Sequence, residues 1–162
     1  MKFCPQCGSA LRKKQIDELE RLACKRACGY VHWDNPVPVV AALVHCNGKF
    51  ILARNYKWPE GTFSLIAGFL EAFESPEPAI LRETQEELGL TGQSATFIGH
   101  YTFPQRNQII MAYLVEATGE LNLNKQELLE AVELSAEELK AFDFGNLRLG
   151  PLVVEALFSK HL

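Results

Sequence analysis

Four of the chain's five cysteines fall within its first 28 residues, as Cys4-Pro5-Gln6-Cys7 and, after a sixteen-residue spacer, Cys24-Lys25-Arg26-Ala27-Cys28. This placement limits what the segment can become. Its apolar residues are few (Phe3, Leu11, Ile16, Leu19 and Leu22), too few to form a core without a cross-link or a metal. Two thiolate pairs at this separation suit one tetrahedral Zn2+, with Zn–S near ~2.3 Å. Two disulfides are the alternative, but they need an oxidising compartment. The start Met1-Lys2-Phe3-Cys4-Pro5 lacks the apolar run of a secretory signal, so a cytoplasmic, reducing environment is the expectation. Cys4, Cys7, Cys24 and Cys28 are thus expected to hold a structural Zn2+ whose binding supplies folding energy. His32 lies close by; it is read either as a surface histidine or as a replacement for one cysteine. Cys46 follows Leu43-Val44 on an apolar run and reads as a small buried hydrophobe.

Beyond Asp34-Asn35-Pro36 the pattern changes, which places a small domain at residues 1–35 and a larger one at 36–162. Strands are expected at 37–45 and 49–54, joined by the hairpin turn Asn47-Gly48. Further strands are expected at 62–67, 94–103, 108–117 and 130–134. Helices are expected at 75–88, stopped by Gly89, at 135–142, capped by Ser135, and at 152–161. Separated helices among mixed strands predict an α/β (α+β) layered domain. The strongest apolar run, 37–44, contains Pro38 and is far shorter than the ~20 residues that span a bilayer, so no membrane association is expected. The net charge of −4 argues against generic binding to nucleic acid or anionic lipid.

The helix at 75–88 carries the chemistry. Ser75 suits the N-cap, and Pro76 and Pro78 fall where a missing N–H costs little. Helical periodicity puts Ile80, Leu81, Thr84 and Leu88 on one face. Glu83, Glu86 and Glu87 fall beside it at i, i+3 and i+4, where like charges repel. Glu87 borders the apolar face and should be partly desolvated, which raises the cost of its charge. A divalent cation would turn that repulsion into coordination, and hard carboxylate oxygens suit Mg2+.

The spacing around these residues is distinctive. Gly68, five residues, Glu74, seven residues, then Arg82-Glu83-Thr84-Gln85-Glu86-Glu87-Leu88-Gly89-Leu90 resembles the Nudix box, G-x5-E-x7-R-E-U-x-E-E-x-G-U, with Thr84 the one departure at a bulky aliphatic position. The resemblance implies a mixed β-sheet sandwiched between helices. It also implies hydrolysis of a nucleoside diphosphate linked to another group, with Mg2+ or Mn2+ as cofactor. By the same resemblance Glu83, Glu86 and Glu87 are metal ligands, Glu74 and Arg82 an ion pair that fixes the loop to the helix, and Gly68 the residue that allows a tight turn. The Ala67 carbonyl is a further metal contact, and Glu127 a candidate outside the box.

A zinc ribbon ahead of such a domain resembles the NADH pyrophosphatase branch, where Glu127-Leu128-Leu129-Glu130-Ala131 matches a segment with a further metal-binding glutamate. That branch carries S-Q-P-W-P-F-P-x-S after the box. Here the stretch Ile98 to Arg106 keeps only Phe103-Pro104, with Tyr101 in the Trp position and Arg106 in that of the last Ser. Tyr101 and Phe103 can stack on a base and Arg106 can pair with phosphate; alternation on a half-buried strand is the plainer reading of the two aromatics. The expected partner is a nucleotide, NAD(H), ADP-ribose or a related dinucleotide. A nucleoside triphosphate and a ligand-sensing role are alternatives, and related zinc-ribbon enzymes suggest a homodimer.

Overall fold

The computed structural model describes residues 1–26 and 28–160, so the part of the last expected helix at His161 lies outside the described residues. The chain divides between Pro36 and Val37 into two compact units.

The first unit is a small three-stranded antiparallel sheet of β1 (Leu11–Ile16), β2 (Leu19–Cys24) and β3 (Val31–His32). Asp17 and Glu18 both take positive φ in the two-residue turn between β1 and β2, the geometry that matches strand twist in a tight hairpin. Cys4, Ala23 and Cys24 are its buried apolar residues. The cysteines therefore stand where a larger domain would place leucines. All five cysteines of the chain are free thiols.

The second unit is built on a six-stranded sheet in the order β7 (Thr91–Phe103), β8 (Gln108–Thr118), β4 (Val37–Cys46), β5 (Lys49–Asn55), β9 (Leu128–Leu134), with β6 (Ile66–Phe69) also paired to β4. The β4–β8 ladder is parallel and the others antiparallel. Buried on both faces, β4 alternates between two cores. Val39, Ala41 and Leu43 join a cluster with Leu139, Val153 and Leu157, from α2 (Ala136–Lys140) and α3 (Leu149–Lys160). Val40, Ala42 and Val44 join a cluster with Ala79, Ile80 and Leu88 of α1 (Pro76–Leu88). Helices thus cover both faces of a mixed sheet. Cys46 lies buried in the α1-side cluster.

Three elements differ from the sequence expectation for local reasons. The strand expected at 62–67 is shared between two neighbours. Ser64 exchanges both backbone hydrogen bonds with Ala53 of β5, and the chain then crosses to pair Ile66 with Ala42 of β4. Ser75 has the extended backbone of an N-cap, but its side chain makes no capping bond. Pro78 removes the N–H that a serine hydroxyl would ordinarily reach at the third helical position. Finally, α3 begins at Leu149, before Gly150 and Pro151, since proline is tolerated in a first turn. Ser135, by contrast, forms a full capping box with Glu138.

Candidate active site

The site grows from the β6–α1 connection. Arg82, on the second turn of α1, is held by five acceptors. Its Nε and Nη2 donate to the two carboxylate oxygens of Glu74 at 3.0 and 2.9 Å, and Nη2 also donates to the Phe69 carbonyl at 3.0 Å. Nη1 donates to Glu83 at 2.8 Å and to Glu86 at 2.9 Å. The Glu71 N–H donates to Glu74 as well, at 2.9 Å. The loop from Phe69 to Glu74 is therefore laced to the helix through one guanidinium. These bonds hold the Glu74 carboxyl below the usual carboxylate range, with Arg82 the largest cause.

Gly68 serves a different purpose from the tight turn expected of it. It lies within β6, with no positive φ. A Cβ built there would stand only 2.0 Å from the Glu83 carboxyl carbon. Glycine is required because the Glu83 carboxylate lies across the strand backbone at this point. Thr84, the one departure from the box, is fully buried and its hydroxyl donates to the Ile80 carbonyl at 2.7 Å. The polar group is thus satisfied within the helix.

Glu87 is 6% exposed, the only buried acidic or basic side chain among the described residues. Burial pushes its carboxyl up to about 8, and the neighbouring charges of Glu83, Glu127 and Glu86 add to the shift. Glu83 is raised too, again first by burial, with Glu86 and Glu127 contributing. Glu127 therefore belongs to the same group of interacting carboxylates, although 40 residues separate it from Glu87 in sequence.

A loop fastened to the end of α1 delivers Glu127. Asn122 N–H donates to the Leu88 carbonyl at 2.9 Å and Asn124 N–H to the Glu87 carbonyl at 2.8 Å. Carbonyls at a helix end lack partners within the helix; here the loop supplies them. Gly89 permits the approach, with φ of 71° and room for no Cβ beside the Asn122 carbonyl. Asn124 then donates from Nδ2 to Glu127 at 3.3 Å. The pair Asn122-x-Asn124 just before Gln126-Glu127 was the available signal.

Tyr101 and Phe103 share the α3 face of the sheet. Tyr101 packs against the core there, and its hydroxyl donates to the Leu152 carbonyl at 3.4 Å. It lines a groove of about 460 Å3 with Ile98, His100 and Leu152. Phe103 and Arg106 are exposed, Arg106 on a short 3-10 turn after the strand. The α1 helix lies on the opposite face.

In the small unit, the four cysteine sulfurs all lie within 4.8 Å of one another. The Sγ atoms of Cys4 and Cys28 are 3.5 Å apart, and those of Cys7 and Cys24 3.4 Å. His32 is not in this group; its Nε2 lies 3.5 Å from an Asp34 carboxylate oxygen.

A mixed sheet covered by helices on both faces is a fold shared with solved hydrolases. The chain is similar over 99% of its length to a NUDIX hydrolase from Nitrosomonas europaea, at 26% identity and a TM-score of 0.78, covering 93% of that chain. The NUDIX domain model matches residues 35–153, and the Nudix N-terminal model, a zinc ribbon, matches residues 2–34. The chain belongs to the Nudix family. Among its relatives are two proteins named NAD-capped RNA hydrolase NudC. The one from Pseudomonas aeruginosa (strain LESB58) is 27% identical across 99% of this chain and 54% of its own length. The one from Vibrio parahaemolyticus is 30% identical across 86% of this chain and 53% of its own. The chain thus spans about half the length of these relatives. No helix among the described residues is long and apolar enough to cross a membrane.

Proposed function

We propose that the chain is a metal-dependent pyrophosphohydrolase that cleaves the diphosphate of a nucleoside diphosphate linked to another group, NAD(H), ADP-ribose or a related dinucleotide. The observation that carries this reading is that Glu83, Glu86, Glu87 and Glu127 interact electrostatically, with Glu87 buried and Glu83 laid across Gly68. Arg82 offsets Glu83 and Glu86, but the buried Glu87 has no ion-pair partner among the described residues, and a buried charge left unpaired is costly. The donor set is all hard oxygen, which fits Mg2+ or Mn2+. These glutamates, with the Ala67 carbonyl, would hold the ion. Such an ion supplies neutralisation of the diphosphate and a lowered pKa for an attacking water.

The chain's own residues do the rest. Arg82 and Glu74 fix the loop and helix to each other, so that the carboxylates keep their spacing. One carboxylate of the group accepts the proton of a water that attacks phosphorus in line. Phe103 and Arg106, exposed at the end of β7, are proposed to meet the nucleoside portion by stacking and by pairing with phosphate; Tyr101, expected to join them, packs instead beneath α3 on the face away from α1. The four cysteines fit structural Zn2+: a tetrahedron with Zn–S of ~2.3 Å has sulfurs ~3.8 Å apart, near the separations seen.

The test is a hydrolysis panel over NADH, NAD, ADP-ribose, FAD and the common nucleoside triphosphates, with Mg2+ or Mn2+ and product identification. Two monophosphates from a dinucleotide are expected. Release of inorganic pyrophosphate from a triphosphate alone would move the assignment to triphosphate hydrolysis. Metal binding without turnover of any member would overturn the enzymatic reading.

A further inference from the structure

Strand register brings two loops to one end of the larger unit's sheet. Val37, the first residue of β4, pairs with Gln108 and so stands level with Phe103, the last residue of β7. Gly68, with the Glu83 carboxylate across it, pairs with Val40 close by. β5 runs back along β4 from Cys46, where Lys49 pairs, so its last residue, Asn55, lies toward that same end. Asn55 pairs in turn with Leu128, the neighbour of Glu127. The loop that leaves Asn55 therefore starts on the Glu127 side of the carboxylates. Phe103 stands at the end of β7, three strands away from β5 in the sheet order. Three strand spacings amount to ~14 Å.

The loop at 55–61 is held at its backbone. The ladder shifts register between Arg54 and Asn55, which turns the chain out of the sheet there. Asn55 accepts twice, at Oδ1 from the Lys57 N–H at 3.0 Å and at its carbonyl from the Trp58 N–H at 2.9 Å. Arg54 pairs with Glu130 of β9 and donates from Nη1 to the Trp58 carbonyl at 3.3 Å. One guanidinium thus ties the loop to the strand that follows Glu127, as Arg82 ties the other loop to α1. The side chains on this fixed backbone remain in solvent. Tyr56 is 51% exposed and Trp58 36%, and neither packs in the two core clusters. Lys57, between them, is exposed and lies 5.6 Å from the Tyr56 ring centroid. It takes part in none of the ion pairs among the described residues.

We infer that Trp58 is a stacking platform for the second base of a dinucleotide and that Lys57 pairs with the phosphate beside it. The loop then favours substrates with a ring on both halves over those that end in a bare sugar. An indole fixed by its backbone and left in water carries a hydration cost that a flat ring relieves on covering it. A cation next to an aromatic platform matches a nucleoside phosphate, whose base and anion are one sugar apart. A diphosphate at the carboxylates would send one half toward Phe103 and Arg106 and the other toward this loop. The inference rests on the pyrophosphohydrolase reading, and its test separates the two.

The experiment compares diadenosine diphosphate, which carries the same base at both ends, with ADP-ribose, which carries it at one. With Mg2+, the wild-type KM is expected to be about tenfold lower for the first, the scale of one base stack. Trp58→Leu should erase most of that difference by raising KM for diadenosine diphosphate rather than by lowering kcat, and Trp58→Phe should keep most of it. Lys57→Gln should raise KM for both substrates about twofold to fivefold, because both carry the diphosphate. An unchanged KM ratio in Trp58→Leu overturns the inference. So does an equal fall in kcat for both substrates at constant KM, because the loop would then act only by supporting Glu127. A dimer dissociated by Trp58→Leu with the KM ratio kept also overturns it, the indole being covered by a second copy. Binding is read separately. In a chain with Trp33→Tyr and Glu87→Gln, Trp58 is the single indole and turnover is slow. Diadenosine diphosphate with Mg2+ should quench its emission saturably, and absence of quenching overturns the inference. Quenching together with a wild type that hydrolyses neither substrate would uphold the platform and count against the pyrophosphohydrolase reading alone.

Discussion

Each unit of this chain gathers four side chains of metal-ligating type, and the two groups differ in what holds them. In the small unit two of the four cysteines, Cys4 and Cys24, form the core with Ala23, the only other buried apolar residue among the described ones, while Cys7 and Cys28 are exposed. In the larger unit three of the four carboxylates rest on α1, whose Ala79, Ile80 and Leu88 are anchored in a core that would exist without them, and Glu127 comes from the loop before β9. The first group makes the fold, and the second is imposed on one. A ligand set that makes a fold is relaxed when filled and collapses when emptied. A set imposed on a fold stays in place when emptied and bears its own repulsion, as the raised Glu87 and Glu83 carboxyls show.

The sharpest way to test this difference is to neutralise a ligand in the second group. Glu87→Gln is expected to lower metal-dependent hydrolysis by about 10²-fold or more, the scale of losing a positioned acid–base group or ligand, and to raise the stability of the metal-free protein. The sign follows from proton linkage. Glu87 ionises near 8 in the folded chain and near 4.5 when unfolded. Between those values the folded state holds a proton that the unfolded state has released. Metal-free stability should therefore be greatest below about pH 4.5 for this group, fall as pH rises toward about 8, and level off above it. Each unit of separation corresponds to about 1.4 kcal/mol, so the effect amounts to a few kcal/mol. Denaturant melts of wild type and Glu87→Gln across pH 5 to 8.5, without metal, check it; parallel curves would refute the account. Metal affinity should rise with pH over the same interval, because binding expels that proton.

The opposite response is expected of the first group. Cys24→Ala, or removal of zinc by a strong chelator, should unfold residues 1–36 while leaving the second unit's thermal transition in place. A small unit whose binding energy is folding energy loses ~10 kcal/mol or more with its metal. Hydrogen exchange resolved by segment reads this directly. Retained protection in β1 and β2 after metal loss would show that the small unit has a core beyond its cysteines.

How much of this was legible beforehand follows the same division. The cysteine group was readable because its members fall within 28 residues and their spacing reflects metal geometry. The box glutamates were readable because helical periodicity places i, i+3 and i+4 together. The Arg82–Glu74 pair came from the box resemblance, and the structure adds the bonds from Arg82 to Glu83 and Glu86. The role of Gly68 was not legible. Its requirement comes from a carboxylate fifteen residues away that crosses its backbone, which no local turn rule encodes. Nor was the path of the Asn122–Glu127 loop, since it depends on which carbonyls α1 leaves open. Tyr101 was legible as half-buried by alternation, but not the face it would take, which the register against β8 decides.

Gly68 supplies the next smaller effect. Gly68→Ala sets a methyl 2.0 Å from the Glu83 carboxyl carbon. The group displaced is the end of a flexible side chain, so the fold gives way cheaply. The expected result is a loss of turnover of about tenfold to 10²-fold, the scale of a displacement near 1 Å at a catalytic group. Thermal stability should change little. A large fall in melting temperature with intact activity would mean that the backbone, not Glu83, had moved.

The smallest effect separates strain from function in the same loop. Phe73 takes φ of 68° with its ring fully exposed, directly before Glu74. A bulky L-residue in the left-handed region costs about 1–2 kcal/mol, and an exposed ring has no core packing to offset it. Glycine removes that cost but releases more entropy on unfolding, about 0.5–1 kcal/mol. Phe73→Gly should therefore stabilise the second unit by about 0.5–1 kcal/mol, measured by denaturant midpoint at constant m. The contrast is with the small unit, where Asp17 and Glu18 also have positive φ but lie in a hairpin turn that requires it. If Phe73→Gly is neutral or destabilising, the ring makes a contact that outweighs its strain. If it stabilises and turnover falls together, the strained conformation serves the placement of Glu74, and through it Arg82 and the carboxylates.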